Sequence, residues 1–225
     1  MVGRSLKPVG AQLLFSSGLV SLKRAFGPRN RAIVLMYHRV NDAQDPFFPA
    51  LPVRVFARQL DYLQKRYRIE PLESVMEWVE RGGGEGPRVA LTIDDGFPDT
   101  YENVFPELVK RNLTATLFLS TAPLETRRPL WTEQLRFAFK HTSREELHVR
   151  ALALEGLRLG DRESRIASLK KVLRRLKKQT AQVIEECVSE IESKLAPAGP
   201  SVRVLSWDQV REMTRGGHVR IGGEP

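Results

Sequence analysis

The chain has 225 residues, enough for one domain of ordinary size or one domain carrying a sizeable insertion, and too few for two full domains. Hydrophobic residues at 41% and charged residues at 28% exclude a wholly disordered protein, and a single cysteine, Cys187, excludes an internal disulfide. The net charge of +9 raises a polyanionic partner, but no aromatic residues interleave with the basic ones and no finger or helix-turn-helix spacing occurs, so nucleic acid is set aside.

Residues 1–30 form a first segment. A basic start leads into a mildly apolar run from Val9 to Val20, with the outline of a secretory signal. Gln12, Ser16, Ser17 and Gly18 interrupt that run, and Lys23 and Arg24 stand where a small-residue cleavage site is wanted. It is also too short and too polar to span a bilayer. The segment is read as amphipathic or basic, either lying on a membrane surface as a peripheral contact or packing ahead of the domain. With neither a convincing signal peptide nor a transmembrane helix, a cytoplasmic or membrane-peripheral location is expected.

From residue 31 onward the elements alternate. Ile33 to Tyr37 is a compact apolar run bounded by basic residues and by the turn-formers Asn41, Asp42, Asp45 and Pro46, which predicts a buried strand. Phe56, Leu60 and Leu63 recur at helical spacing within 53–67, and 71–80 continues as a second helix closed by Gly82, Gly83 and Gly84. Val89 to Ile93 is the second strand and runs directly into Asp94-Asp95-Gly96. A helical pattern over 99–111 stops at Asn112, and Thr114 to Ser120 is the third strand. Strand, helix and strand within one short stretch make a βαβ unit, whose strands are parallel and whose functional loops sit at the strands' C-terminal ends.

Beyond Pro129 the character turns helical. Ile166, Leu169, Leu173, Leu176, Val183, Cys187, Ile191 and Leu195 step in threes and fours, with Thr180 in the one gap. This predicts a single amphipathic helix of about thirty residues, basic in its first half and acidic in its second. Its stripe suits a core face or a partner helix, and Cys187 within it suits a small buried apolar residue. Pro197-Ala198-Gly199-Pro200 ends it. Val219 to Ile221 is a further short strand.

The residues with the most chemistry are Asp94 and Asp95, adjacent carboxylates at the mouth of a buried strand. Alternate strand residues face opposite ways, but a turn at the strand end, eased by Gly96, brings both side chains to one cleft. One carboxylate can then hold a metal ion while its neighbour takes a proton. On its own the triplet suits a simple turn equally well.

Further matches add to it. Leu35-Met36-Tyr37-His38-Arg39-Val40, Val89 to Phe97 with its Thr92-Ile93-Asp94-Asp95-Gly96, Ala115 to Leu119, Leu205-Ser206-Trp207-Asp208-Gln209 and Gly216-Gly217-His218 occur in this order. The set resembles the NodB-like polysaccharide deacetylases, carbohydrate esterase family 4, over roughly residues 33–124 and 202–225. The resemblance implies a distorted (β/α) barrel of the α/β class, here partial and carrying a long helical insertion over about 125–201 of a domain spanning 31–225. It implies hydrolysis of N-acetyl groups on an N-acetylglucosamine-type polysaccharide, with Asp94 as general base and Asp95 as carboxylate ligand of zinc or another divalent metal. In the family the first motif usually has Phe where Ile93 stands.

The chain departs from the family at its end. Where an Ile-Gly pair usually leads to a motif of two closely spaced metal-binding histidines, Ile221-Gly222-Gly223-Glu224-Pro225 closes the sequence. Glu224 stands about where the first histidine is expected. The resemblance therefore implies a C-terminally incomplete domain of doubtful metal binding and activity. His38 and His218 are read as structural histidines, and His141 and His148, in the insertion, need no functional explanation. The alternative function is a non-catalytic interaction protein that docks a partner or an anionic surface through its long helix and basic face.

Overall fold

The computed structural model describes residues 31–84, 86–199 and 202–222. The expected N-terminal segment and Glu224 lie outside them. Parallel strands joined by helices place the chain in the α/β class, in keeping with the partial (β/α) arrangement expected.

β1 (Ala32–Tyr37) leads to α1 (Val53–Gln64), which starts directly after Pro52 and buries Phe56, Leu60 and Leu63 on one face. A two-residue strand, β2 (Arg68–Ile69), precedes α2 (Leu72–Glu80), which buries Val75. β3 (Arg88–Asp95) is buried continuously from Val89 to Ile93, the pattern of a strand covered on both faces. A π-helical turn, Thr100–Val104, then opens α3 (Phe105–Arg111), so the helix expected over 99–111 changes its winding. Asn112 adopts the left-handed conformation (φ 50°) that ends α3 where the sequence pattern placed the stop. β4 (Ala115–Leu119) follows. Near the end of the chain Ser206 and Gln209 form a capping box on α8 (Trp207–Arg215), and β7 (Val219–Gly222) completes the sheet.

The sheet runs β1-β3-β4-β7, all parallel, and β2 pairs with the start of β3. Arg88 N–H donates to Arg31 O, whereas the carbonyls of Val89 and Asp95 accept from Glu70 and Ser120. Alternate residues of a strand address opposite edges, so β2 and β4 share one edge of β3 and β1 takes the other. Tyr37 sits opposite Ile93, and Asp95 opposite Leu119. That register brings the C-terminal ends of three strands together. The first hydrophobic core joins Val89, Leu91, Ile93 and Leu117 to Phe56 and Leu60 of α1, Leu108 of α3, and Val210 and Met213 of α8.

A second core lies in the region between β4 and α8. After the short α4 (Ala122–Thr126), α5 (Trp131–His141) buries Leu135, Ala138 and Phe139. They meet an antiparallel hairpin, β5 (Glu146–Val149) and β6 (Leu154–Arg158), and two helices, α6 (Arg162–Leu176) and α7 (Ala181–Leu195). The single helix expected across 166–195 is therefore two. Thr180 has extended backbone angles (φ −70°, ψ 160°) and accepts from Val183 N–H at 3.5 Å, capping a new helix instead of filling a gap in an old one. Leu169, Val172 and Leu176 share one cluster with Cys187, Ile191 and Leu195. A straight helix of that length would spread them over roughly 40 Å. The stripe is thus buried in the core, as is Cys187, and leaves only polar faces for any partner. Among the described residues no helix is long and apolar enough to cross a membrane.

Candidate active site

The carboxylate pair sits where β3 leaves the sheet. Asp95 has φ 71° and Gly96 φ 75°, so the chain takes two successive left-handed residues at this point. Such a conformation is costly for a residue with a Cβ and is mostly held where packing enforces it. A Cβ on Gly96 would stand 2.4 Å from Leu119 Cδ1 and 3.6 Å from Leu205 Cδ1, so the turn is pressed against β4 and the residue preceding the α8 cap.

The turn separates the two side chains. Asp94 Oδ2 lies 3.6 Å from His38 Nε2, at the end of β1. Asp95 lines a cleft of about 390 Å³ together with Arg39, Asp99 and Glu133. Burial pushes the Asp95 carboxyl above its ordinary value, the nearby His38 opposes this, and the like charge of Asp94 adds to it. His38, Asp94 and Asp95 thus form one electrostatic group. His38, read from the sequence as a structural histidine at the end of the first strand and within reach of the same mouth, stands half exposed beside the carboxylates.

Arg39 organises the cleft wall. Its Nη1 donates to Glu133 Oε2 at 2.7 Å, and its Nε lies 3.6 Å from Asp99 Oδ2. The guanidinium also covers the rings of Phe97, 4.8 Å from the centroid, and Phe48, at 5.3 Å. Asp99 Oδ2 accepts from Val40 N–H at 2.9 Å and from Asn41 Nδ2 at 2.8 Å. The Asp-Asp-Gly turn and the end of β1 are thereby tied together. Glu133 comes from α5, is 3% exposed, and also pairs with Arg136 at 3.2 Å. Burial raises its carboxyl above the ordinary value, and Arg39 and Arg136 oppose the shift. A helix of the second core therefore supplies a charged wall beside Asp95.

The sequence puts both aspartates at the mouth of the strand, where they stand, but the single cleft expected for the two does not form, since only Asp95 lines it; the sequence gives Arg39, Asp99 and Glu133 no role. Arg39 lies inside the Leu35–Val40 motif and Asp99 closely follows the carboxylate turn, which is a local signal for both. Glu133 carries no local signal, since only the packing of α5 against the cleft reveals it.

The remaining histidines are accounted for by local contacts. His218 Nδ1 is 2.9 Å from Leu113 O, and Ala115 N–H donates to His218 O, so the Gly-Gly-His motif anchors β7 to the start of β4. His148 accepts from Gly156 N–H at 3.3 Å within the β5–β6 hairpin. His141 lines the cleft and packs on Phe137 with ring centroids 4.5 Å apart.

Comparison with known proteins places this site in context. Residues 81–222 match the family described as Polysaccharide deacetylase, more than half the chain and including both aspartates. The chain belongs to that family. It is 25% identical over 154 residues to YxkH of Bacillus subtilis (strain 168), a protein itself named provisionally as a polysaccharide deacetylase. The match takes in 67% of this chain and 54% of YxkH, so the chain spans about half the length of that relative. Among solved structures, a de-N-acetylase from Aggregatibacter actinomycetemcomitans aligns over 86% of this chain and 54% of its own, with 19% identity and a TM-score of 0.43. IcaB from Ammonifex degensii aligns over 82% of this chain and 97% of its own, with 21% identity and a TM-score of 0.40.

Proposed function

We infer that this chain takes part in the hydrolysis of N-acetyl groups on an N-acetylglucosamine-type polysaccharide, with Asp94 as general base. The observation that carries the reading is the pairing of Asp94 with His38 beside a partly buried Asp95, at the C-terminal edge of a parallel sheet, with both aspartates inside the family match. Ligand sites of parallel sheets lie at that edge.

In the reaction a water oxygen attacks the acetamide carbonyl carbon and its proton passes to Asp94. The carbon–nitrogen bond then breaks and the amine leaves with a proton, giving acetate and a free amino sugar. His38, 3.6 Å from Asp94, is read as the group that carries that proton on to the leaving amine. Asp95 is the carboxylate that the family resemblance assigns to zinc or another divalent metal. Among the described residues, no three His, Cys, Asp or Glu side chains are grouped to hold a metal ion, and catalytic zinc generally uses three protein ligands. The described residues do not fit a zinc site by themselves.

Acetate release from an N-acetylglucosamine oligomer, followed with and without added zinc, tests the reading. Asp94→Asn should lower the rate about 10²- to 10⁴-fold. Equal release by wild type and Asp94→Asn, or none from wild type in either condition, defeats the catalytic assignment.

A further inference from the structure

The net charge of +9 is concentrated. From Arg162 to Lys178 there are eight basic residues against one acidic residue, Glu163. Arg165 is engaged, donating to the carbonyls of Leu159 and Lys140. The other cations toward the C-terminal end of α6, namely Lys170, Lys171, Arg174, Arg175, Lys177 and Lys178, are all exposed. None has an ion pair or side-chain hydrogen bond within the described residues. Exposed cations elsewhere do find partners: Arg203 pairs with Glu102 at 2.6 Å, and Arg211 with Asp208 at 2.7 Å. The helix dipole accounts for cations in the last turn, but Lys170 and Lys171 lie earlier.

The geometry gives this charge a direction. Lys170, Lys171, Arg174 and Arg175 fall within an arc of roughly 140° on the helix, opposite Leu169, Val172 and Leu176. Those three pack in the second core with Leu135, Ala138 and Phe139 of α5. The other side of α5, with Glu133, Phe137 and Lys140, lines the cleft. α5 therefore stands between the basic face and the cleft, and the cations look away from Asp95.

We propose that this face of α6 docks the protein on an anionic phospholipid surface, holding the cleft clear of the membrane. A lipid leaflet needs only a dense positive patch, since its headgroup charge is smeared and mobile. No Phe, Tyr or Trp lies between Arg162 and Lys178 to stack on nucleic acid bases, which disfavours that alternative polyanion. The apolar arc of α6 is committed to the core, so the contact is electrostatic and reversible, without insertion.

Sedimentation of the full chain with large vesicles tests the proposal, using either phosphatidylcholine alone or a mixture with about one-third phosphatidylserine. Binding is expected only to the anionic vesicles and should vanish between roughly 0.1 and 0.5 M salt as the screening length shrinks. Each basic residue near such a surface contributes about fivefold, so changing Lys170, Lys171, Arg174 and Arg175 together to Gln should weaken partitioning by at least about 100-fold. Removing equal charge elsewhere, with Arg54, Arg58, Lys65 and Lys110 changed to Gln, should cost less than about fivefold. If the first variant melts well below wild type, Lys170→Gln with Lys171→Gln alone decides the question at about 25-fold. Three results overturn the proposal: equal loss in both charge-removal variants, loss only on neutralising Arg4, Lys7, Lys23 and Arg24, or tighter binding to duplex DNA than to vesicles. None of these readouts depends on deacetylase activity.

Discussion

Replacing Arg39 with methionine removes the charge that links the carboxylate turn to α5. The side chain is 19% exposed and its partner Glu133 4%, so the pair is well shielded from solvent. The lost hydrogen bond to a charged group contributes about 1.5–3 kcal/mol. The contacts with Phe97 and Phe48 add about 0.5–2 kcal/mol. Glu133 keeps Arg136, and Asp99 keeps the Val40 N–H and Asn41, which limits the damage from stranded charge. The expected total is about 2–5 kcal/mol, in line with breaking one side of a buried pair. At this chain length that is a fall of about 4–20 °C in melting temperature. Urea denaturation of Arg39→Met, Glu133→Gln and the double variant gives the coupling, expected at about 1.5–3 kcal/mol. A destabilisation below about 1 kcal/mol with coupling under about 0.5 kcal/mol would refute the assignment of Arg39 as the link between the two cores.

Two further outcomes follow from the turn itself. Burial and Asp94 hold the Asp95 carboxyl above its ordinary value, so the folded state takes up a proton more readily than the unfolded one. Stability is then lost as pH rises from the ordinary carboxylate value through the raised folded value, and the deficit persists at neutral pH. Asp95→Asn should recover up to about 1 kcal/mol at pH 7, with the gain fading as pH falls below the carboxylate range; thermal melts across pH 4–8 check this. Gly96→Ala should cost about 2–3 kcal/mol, because a Cβ at φ 75° is strained and meets Leu119; a melting temperature within a degree of wild type would contradict that packing.

Much of the parallel sheet was legible because its signals are local. β3 reads as an unbroken apolar run, and Asp94 and Asp95 follow it with no intervening loop to misplace them. The motif around Ser206 and Gln209 proved to be a helix cap, which its residue types announce. The two-residue β2 escaped notice because pairing, not composition, defines it. The β5–β6 hairpin escaped because Leu147, Val149 and Leu157 alternate over stretches too short to stand out from helical periodicity. Thr180 misled because a threonine can continue a helix or cap one, and the choice rests on whether α7 gains by folding back on α5. Glu133 was invisible for a related reason: a charged residue in an amphipathic helix looks solvated until a cleft is placed beside it.

β1 bears on how a sample of the protein would behave. It is six residues long, pairs with β3 alone among the described residues, and leaves Val34 49% and Met36 63% exposed. Among the described residues this flank is bare and apolar, and such an edge is a template on which a neighbouring molecule can add a strand. Concentrated solutions should therefore clump through this seam first, and a lysine at Met36 is the economical way to keep preparations monodisperse.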